Sequence, residues 1–129
     1  RLVKFCDIRA QTFNDFVNLS GMANDFGWEE VFCRPLKLHL AKGDLLIAIS
    51  SSGQSPNILN AVKLVKQKNC PIVTLSGFDP DNPLRSLGEI NFFVPSTSYR
   101  HVERTHLFIL DCSHDLYLKF QSKKSKEEI

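Results

Sequence analysis

Apolar residues run unbroken from Leu45 to Ile49, then stop at Ser50-Ser51-Ser52-Gly53-Gln54-Ser55-Pro56. A helical spacing follows at once, with Ile58, Val62 and Val65 on one face. An apolar run of strand length, a polar turn and a helical period, in that order, predict a buried parallel strand, a loop and a helix N-terminus. Ser55 can cap that helix, and Pro56 suits its first position. Lys63, Lys66 and Lys68 crowd its last turns, where cations are favoured, and Asn69 can end it.

Similar patterns predict strands over Ile72 to Ser76 and over Ile90 to Val94, the latter stopped by Pro95, and a short strand over Ala10 to Asn14. Phe16 to Asn24 and Trp28 to Leu40 read as helical, with Pro35 near a break between shorter helices. Phe78 to Gly88, with Pro80 and Pro83, reads as a loop holding at most one helical turn. A long helix is expected from His101 to about Gln121. Strands alternating with helices imply a parallel sheet covered on both faces, a three-layer α/β/α sandwich. Ligands in such folds bind beyond the carboxyl ends of the strands, and the serine loop sits at such an end.

Composition narrows the class. A chain of 129 residues is enough for one domain with a real core. Its 43% apolar and 23% charged residues form an ordinary globular balance. A net charge of +2 argues against a general nucleic-acid binder, which needs a basic face. Lys119, Lys123, Lys124 and Lys126 are followed by Glu127 and Glu128, so 122–129 reads as a frayed, solvated, charged tail. Cys6, Cys33, Cys70 and Cys112 are far apart and form no paired motif. Reduced thiols in a cytoplasmic protein fit that spacing better than a zinc site or a disulfide framework. No apolar run is long enough to cross a membrane, and no signal peptide is visible. The chain begins at Arg1 rather than Met, which reads as a fragment or processed form.

Three segments carry candidate chemistry. The first turn of a helix leaves N–H groups unpaired at the positive end of its dipole. The hydroxyls of Ser50, Ser51, Ser52 and Ser55 added there make a pocket for a phosphate or another small oxyanion. A simple cap needs one serine rather than four. The loop lacks the Gly-Lys-Ser/Thr ending of a Walker loop and the glycines of a dinucleotide fingerprint. In the second segment, Asn24-Asp25-Phe26-Gly27-Trp28, the polar pair can cap the helix that Trp28 opens or hold sugar hydroxyls.

The third segment is the last helix, with Glu103, Asp111 and His114 as polar candidates and His106 between them. At about 100° per residue, Glu103 and Asp111 lie about 80° apart, and Glu103 and His114 about 20° apart but about 16 Å along the axis. All three can face one cleft. Carboxylates and imidazole suit proton transfer or metal ligation. His39 and His101 have no constellation and read as structural.

Together these segments resemble the sugar isomerase (SIS) domain family, in its phosphoheptose isomerase (sedoheptulose 7-phosphate isomerase) and DnaA initiator-associating protein branch. The resemblance covers roughly Ala10 to Phe120 and includes Val73-Thr74-Leu75-Ser76-Gly77 and the helix with Glu103 and His106. It implies one SIS domain over 1–129, with a parallel sheet of five strands between helices, lacking the family's N-terminal helical part. Apolar surface that those helices would cover is then expected to be exposed. Asn24 and Asp25 match a pair that contacts the sugar phosphate. Ser50, Ser51, Ser52 and Ser55 match the phosphate loop.

Glu103 stands where the family usually has Gln, touching substrate and metal. Asp111 stands where it usually has His, a zinc ligand and acid/base candidate. The resemblance thus implies zinc at Glu103 and Asp111, both also candidate catalytic groups, with His114 as a possible substitute one turn on. It further implies a homo-oligomer, dimer or tetramer, acting in the cytoplasm on a phosphorylated sugar. The expected chemistry is isomerisation of sedoheptulose 7-phosphate through an enediolate. The alternative classes are a non-catalytic scaffold for a protein partner, as in the DnaA initiator-associating branch, and a sugar-phosphate sensor.

Overall fold

The computed structural model describes residues 2–127. Its sheet has three parallel strands in the order β1-β2-β3: Leu46–Ile49, Ile72–Gly77 and Ile90–Val94. Leu46 pairs with Ile72 and Ile49 with Leu75, while Val73 pairs with Ile90 and Gly77 with Val94. Helix α4, Pro56–Gln67, connects β1 to β2. Helix α5, Tyr99–Glu127, follows β3 and reaches into the stretch read as a charged tail; residues 128–129 lie outside the described residues.

Each face of the sheet has its own cover. Ala48 and Ile72 face α4, in a core with Ala61, Val62, Val65, Leu84 and Leu36. Val62 and Val65 are fully buried, as their shared helical face requires. Leu36 comes from α3, Cys33–His39, which packs on α4. On the other face Val102 of α5 sits over Gly77, so closely that a Cβ there would come within 2.7 Å of the valine. The fold is therefore the expected α/β/α sandwich, with α4 on one face and α5 on the other.

Several expectations need correction. Ala10 to Asn14 forms no strand; only Phe13 in it is apolar enough to pack on the core, and Asp15 then caps α2, Phe16–Phe26, through its carboxylate and Asn18 N. Among the described residues the sheet has three strands rather than five. The segment from Trp28 to Leu40 splits into a 3₁₀ turn, Trp28–Glu30, and α3. The break comes before Pro35, because proline in a first turn forfeits only an N–H that has no helical partner. A short helix α1, Leu2–Cys6, not read in the sequence, packs on α5.

Strand β1 is buried on one face only. Ala48 is 4% exposed, while Ile47 and Ile49 on the opposite face are 38% and 40% exposed. The unbroken apolar run had predicted burial on both faces. Ile47 and Ile49 therefore leave apolar surface exposed on that face.

Candidate functional site

The serine loop leaves β1 at its carboxyl end and enters α4. Ser50 is buried, and its N–H bonds to Leu75 O at 3.1 Å, which fixes the loop to the neighbouring strand. Ser50 Oγ and Ser55 Oγ share a hydrogen bond of 3.0 Å, and Ser50 Oγ also accepts from Gly53 N at 3.1 Å. Ser52 Oγ accepts from Gln54 N at 3.2 Å. Ser55 occupies the N-cap position of α4 and Pro56 its first turn, yet the Ser55 hydroxyl caps no helix N–H. That hydroxyl is turned back across the loop instead. Among the described residues, no acceptor meets the N–H groups of Ser51, Ser52 and Ser55. Free N–H groups and hydroxyls at the positive end of a twelve-residue helix form a receptive site for an oxyanion.

A residue that the sequence did not single out holds this loop. Asn82 is 3% exposed and begins the 3₁₀ turn Pro83–Ser86. Its Nδ2 lies 3.1 Å from Ser76 Oγ, 3.3 Å from Gly77 O and 2.7 Å from Asp79 O. Its Oδ1 accepts from Arg85 N at 3.0 Å. Leu84 N bonds to Gly53 O at 3.2 Å, so this turn is stitched onto the serine loop. Gly53 has φ +66°, a left-handed conformation that suits glycine. The only sequence signal was an asparagine before Pro83, which reads as ordinary turn chemistry.

An open cleft of about 370 Å³ joins the loop to α5, lined by Ile49, Ser51, Glu103, His106, Leu107 and Leu110. Ser51 and Glu103 thus line one cleft. His106, three residues after Glu103, is one helical turn away and joins them. Asp111 and His114 do not line the cleft. His114 is buried, with Nδ1 3.2 Å from Asp115 Oδ1 and its ring edge-on to Phe5. A second hollow, of about 340 Å³, lies before β2 at the opposite end of the sheet. Its polar lining is Lys42, Lys68 and Asn69, all exposed.

Asn24 and Asp25 lie exposed in the last turn of α2, where Asn24 Nδ2 donates to Asp25 Oδ1 at 2.9 Å. They cap nothing: Gly27 precedes the Trp28 turn, without a side-chain cap. No hydrogen bond joins them to the serine loop among the described residues. All four cysteines are free, and burial raises the Cys33 thiol pKa, with Glu30 adding to the shift.

The implied zinc does not fit the described residues. A catalytic zinc takes three protein ligands. Among the described residues no three His, Cys, Asp or Glu side chains come together to hold a metal. Glu103 and Asp111 are also separated by about 12 Å of helix axis. No described helix is long and apolar enough to cross a membrane.

Fold and loop together define an α/β domain with a serine loop at the carboxyl end of its first strand. Over 98 residues the chain is 35% identical to a phosphoheptose isomerase of Geobacter sp. (strain M21), an alignment covering 76% of this chain and 50% of that enzyme. A phosphoheptose isomerase of Haemophilus ducreyi is 32% identical over 117 residues, covering 91% of this chain and 59% of the relative. The solved phosphoheptose isomerase from Neisseria gonorrhoeae superposes with a TM-score of 0.75 at 25% identity, over 81% of this chain and 58% of that one. No protein-family model matches the chain. Sequence and fold thus agree in relating this chain to the phosphoheptose isomerases, and it spans about half the length of the curated relatives it matches.

Proposed function

We propose that the serine loop binds the phosphate of a phosphorylated ketose or aldose, and that the whole protein interconverts sedoheptulose 7-phosphate and a heptose 7-phosphate. The observation that supports this reading is the open cleft, lined by both Ser51 and Glu103. Phosphate held at the loop would leave the sugar carbons to extend toward α5.

Aldose–ketose isomerisation requires a proton to leave the carbon next to the carbonyl, giving an enediolate, and a proton to return to the neighbouring carbon. Glu103 is exposed in the cleft and is the candidate for that transfer. In this reading Asp111, two turns further along α5 and outside the cleft lining, takes no part in that transfer. Two carboxylates fall short of the three protein ligands of a catalytic zinc site.

The test is turnover of sedoheptulose 7-phosphate by the protein, followed by the appearance of the aldose phosphate, with Glu103→Ala alongside. Turnover that falls at least a hundredfold in the variant is expected, in line with the usual contribution of a general base, about 10²–10⁴-fold. Turnover unaffected by Glu103→Ala would remove Glu103 from the chemistry.

A further inference from the structure

His106 is 3% exposed, yet one of its nitrogens has no partner. Nε2 lies 3.1 Å from Ser76 O. A carbonyl oxygen only accepts, so Nε2 carries the hydrogen, and in the neutral ring Nδ1 is an acceptor. Nδ1 is buried and meets no donor among the described residues. A buried acceptor left unmet is costly, so such groups ordinarily have a partner. Here the ring forms part of the cleft wall, between Glu103 on its own helix and Ser51 on the serine loop. The Nε2 contact is to a backbone oxygen of β2, so the strand holds the ring's orientation.

From this geometry we propose that His106 is a ligand-contacting residue, whose Nδ1 accepts a hydrogen bond from a hydroxyl of the sugar held by its phosphate at the serine loop. The inference rests on the phosphosugar reading of that loop and adds a specificity contact to it. The ligand supplies the missing donor, and the ring reads a hydroxyl rather than the phosphate. Inorganic phosphate, lacking the sugar, does not make this contact.

The test compares two probes, inorganic phosphate and sedoheptulose 7-phosphate, by calorimetry on the full chain and on His106→Gln. The glutamine amide reaches the Nε2 position and can keep the bond to Ser76 O, but offers nothing at Nδ1. Phosphate affinity should stay within twofold, while phosphosugar affinity falls about tenfold, the loss of one hydrogen bond. An equal fall for both probes, or none for the sugar, overturns the proposal and leaves His106 a structural tie. Unaltered protein that binds phosphate but not the sugar any tighter overturns it as well, while sparing the serine loop. Binding of neither probe overturns the phosphosugar reading itself. A nitrogen NMR spectrum of the unaltered chain needs no variant: the His106 Nδ1 signal should shift with sedoheptulose 7-phosphate and stay still with phosphate. A stationary signal at saturating sugar would count against the contact.

Discussion

Asn82 Oδ1 occupies the space that a side chain at Gly53 would need: a Cβ built on Gly53 would lie 1.9 Å from it. The asparagine cannot swing aside, because its amide is held by oxygens of Ser76, Gly77 and Asp79. The serine loop is therefore shaped by a residue some thirty positions downstream as much as by its own sequence. Gly53→Ala should combine left-handed strain with overpacking and destabilise by about 2–4 kcal/mol, read from urea unfolding. A loss below about 0.5 kcal/mol would mean that the loop and Asn82 move apart freely.

Asn82→Ala attacks the same contact from the other side. It leaves the buried Ser76 Oγ without its side-chain partner, while Arg85 N keeps the Asn82 backbone oxygen at 3.3 Å. An unmet buried group costs about 1–3 kcal/mol, and a loss in that range is expected by the same unfolding assay. Phosphate affinity should fall too, because the turn that braces Gly53 loosens. A variant with unchanged phosphate binding would show that the loop keeps its shape unaided.

The core under α4 gives a prediction independent of the site. Val62 is fully buried against Ala48, Ile72 and Leu84 in one cluster. Val62→Ala should cost about 1.5–3 kcal/mol, from lost transfer energy and the cavity left behind. Phosphate affinity measured on the folded variant should be unaltered, since Val62 lies in the second turn of α4, away from the loop.

Acid should destabilise the protein in part through Glu89. Its carboxylate accepts from Ile72 N at 2.6 Å, and that hydrogen bond, helped by its own N–H and by Lys66, holds its pKa below the ordinary 4.5. Asp44 behaves alike, lowered by the Ala41 N–H and then by Arg9. A depressed folded-state pKa means that the unfolded chain takes up the proton first as pH falls. The contribution is complete above the unfolded value and is lost as pH drops through the folded one. Urea midpoints from pH 6 down to pH 3 should fall, and less steeply in Glu89→Gln. Parallel curves for the two proteins would remove Glu89 from the acid response.

Much of this fold was legible because its strands are unbroken apolar runs ended by polar residues. Ile90–Val94 was read to the residue, and Ile72–Ser76 missed only Gly77. Helix α4 announced itself through Ser55, Pro56 and its apolar face. Long-range context was harder to read. Ala10–Asn14 had strand length but finds no neighbouring strand to pair with. The Leu45–Ile49 run gave no sign that only one of its faces would be covered. Of the residues that line the cleft, Ser51 and Glu103 were singled out from residue type and spacing. Asn82 and His106 were not, because their roles depend on Gly53 and Ser76 being brought beside them in space. Asp111 and His114 fell on a suitable arc of α5, but the helix is long and the cleft spans only its first turns.

The central claim is that Ser50 to Ser55 grip a phosphate, and calorimetric titration with sedoheptulose 7-phosphate of the unaltered chain beside the double variant Ser52→Ala/Ser55→Ala tests it most directly. Saturable binding that disappears in the double variant is the predicted result. Equal affinity in the two proteins would contradict the claim and move the phosphate elsewhere.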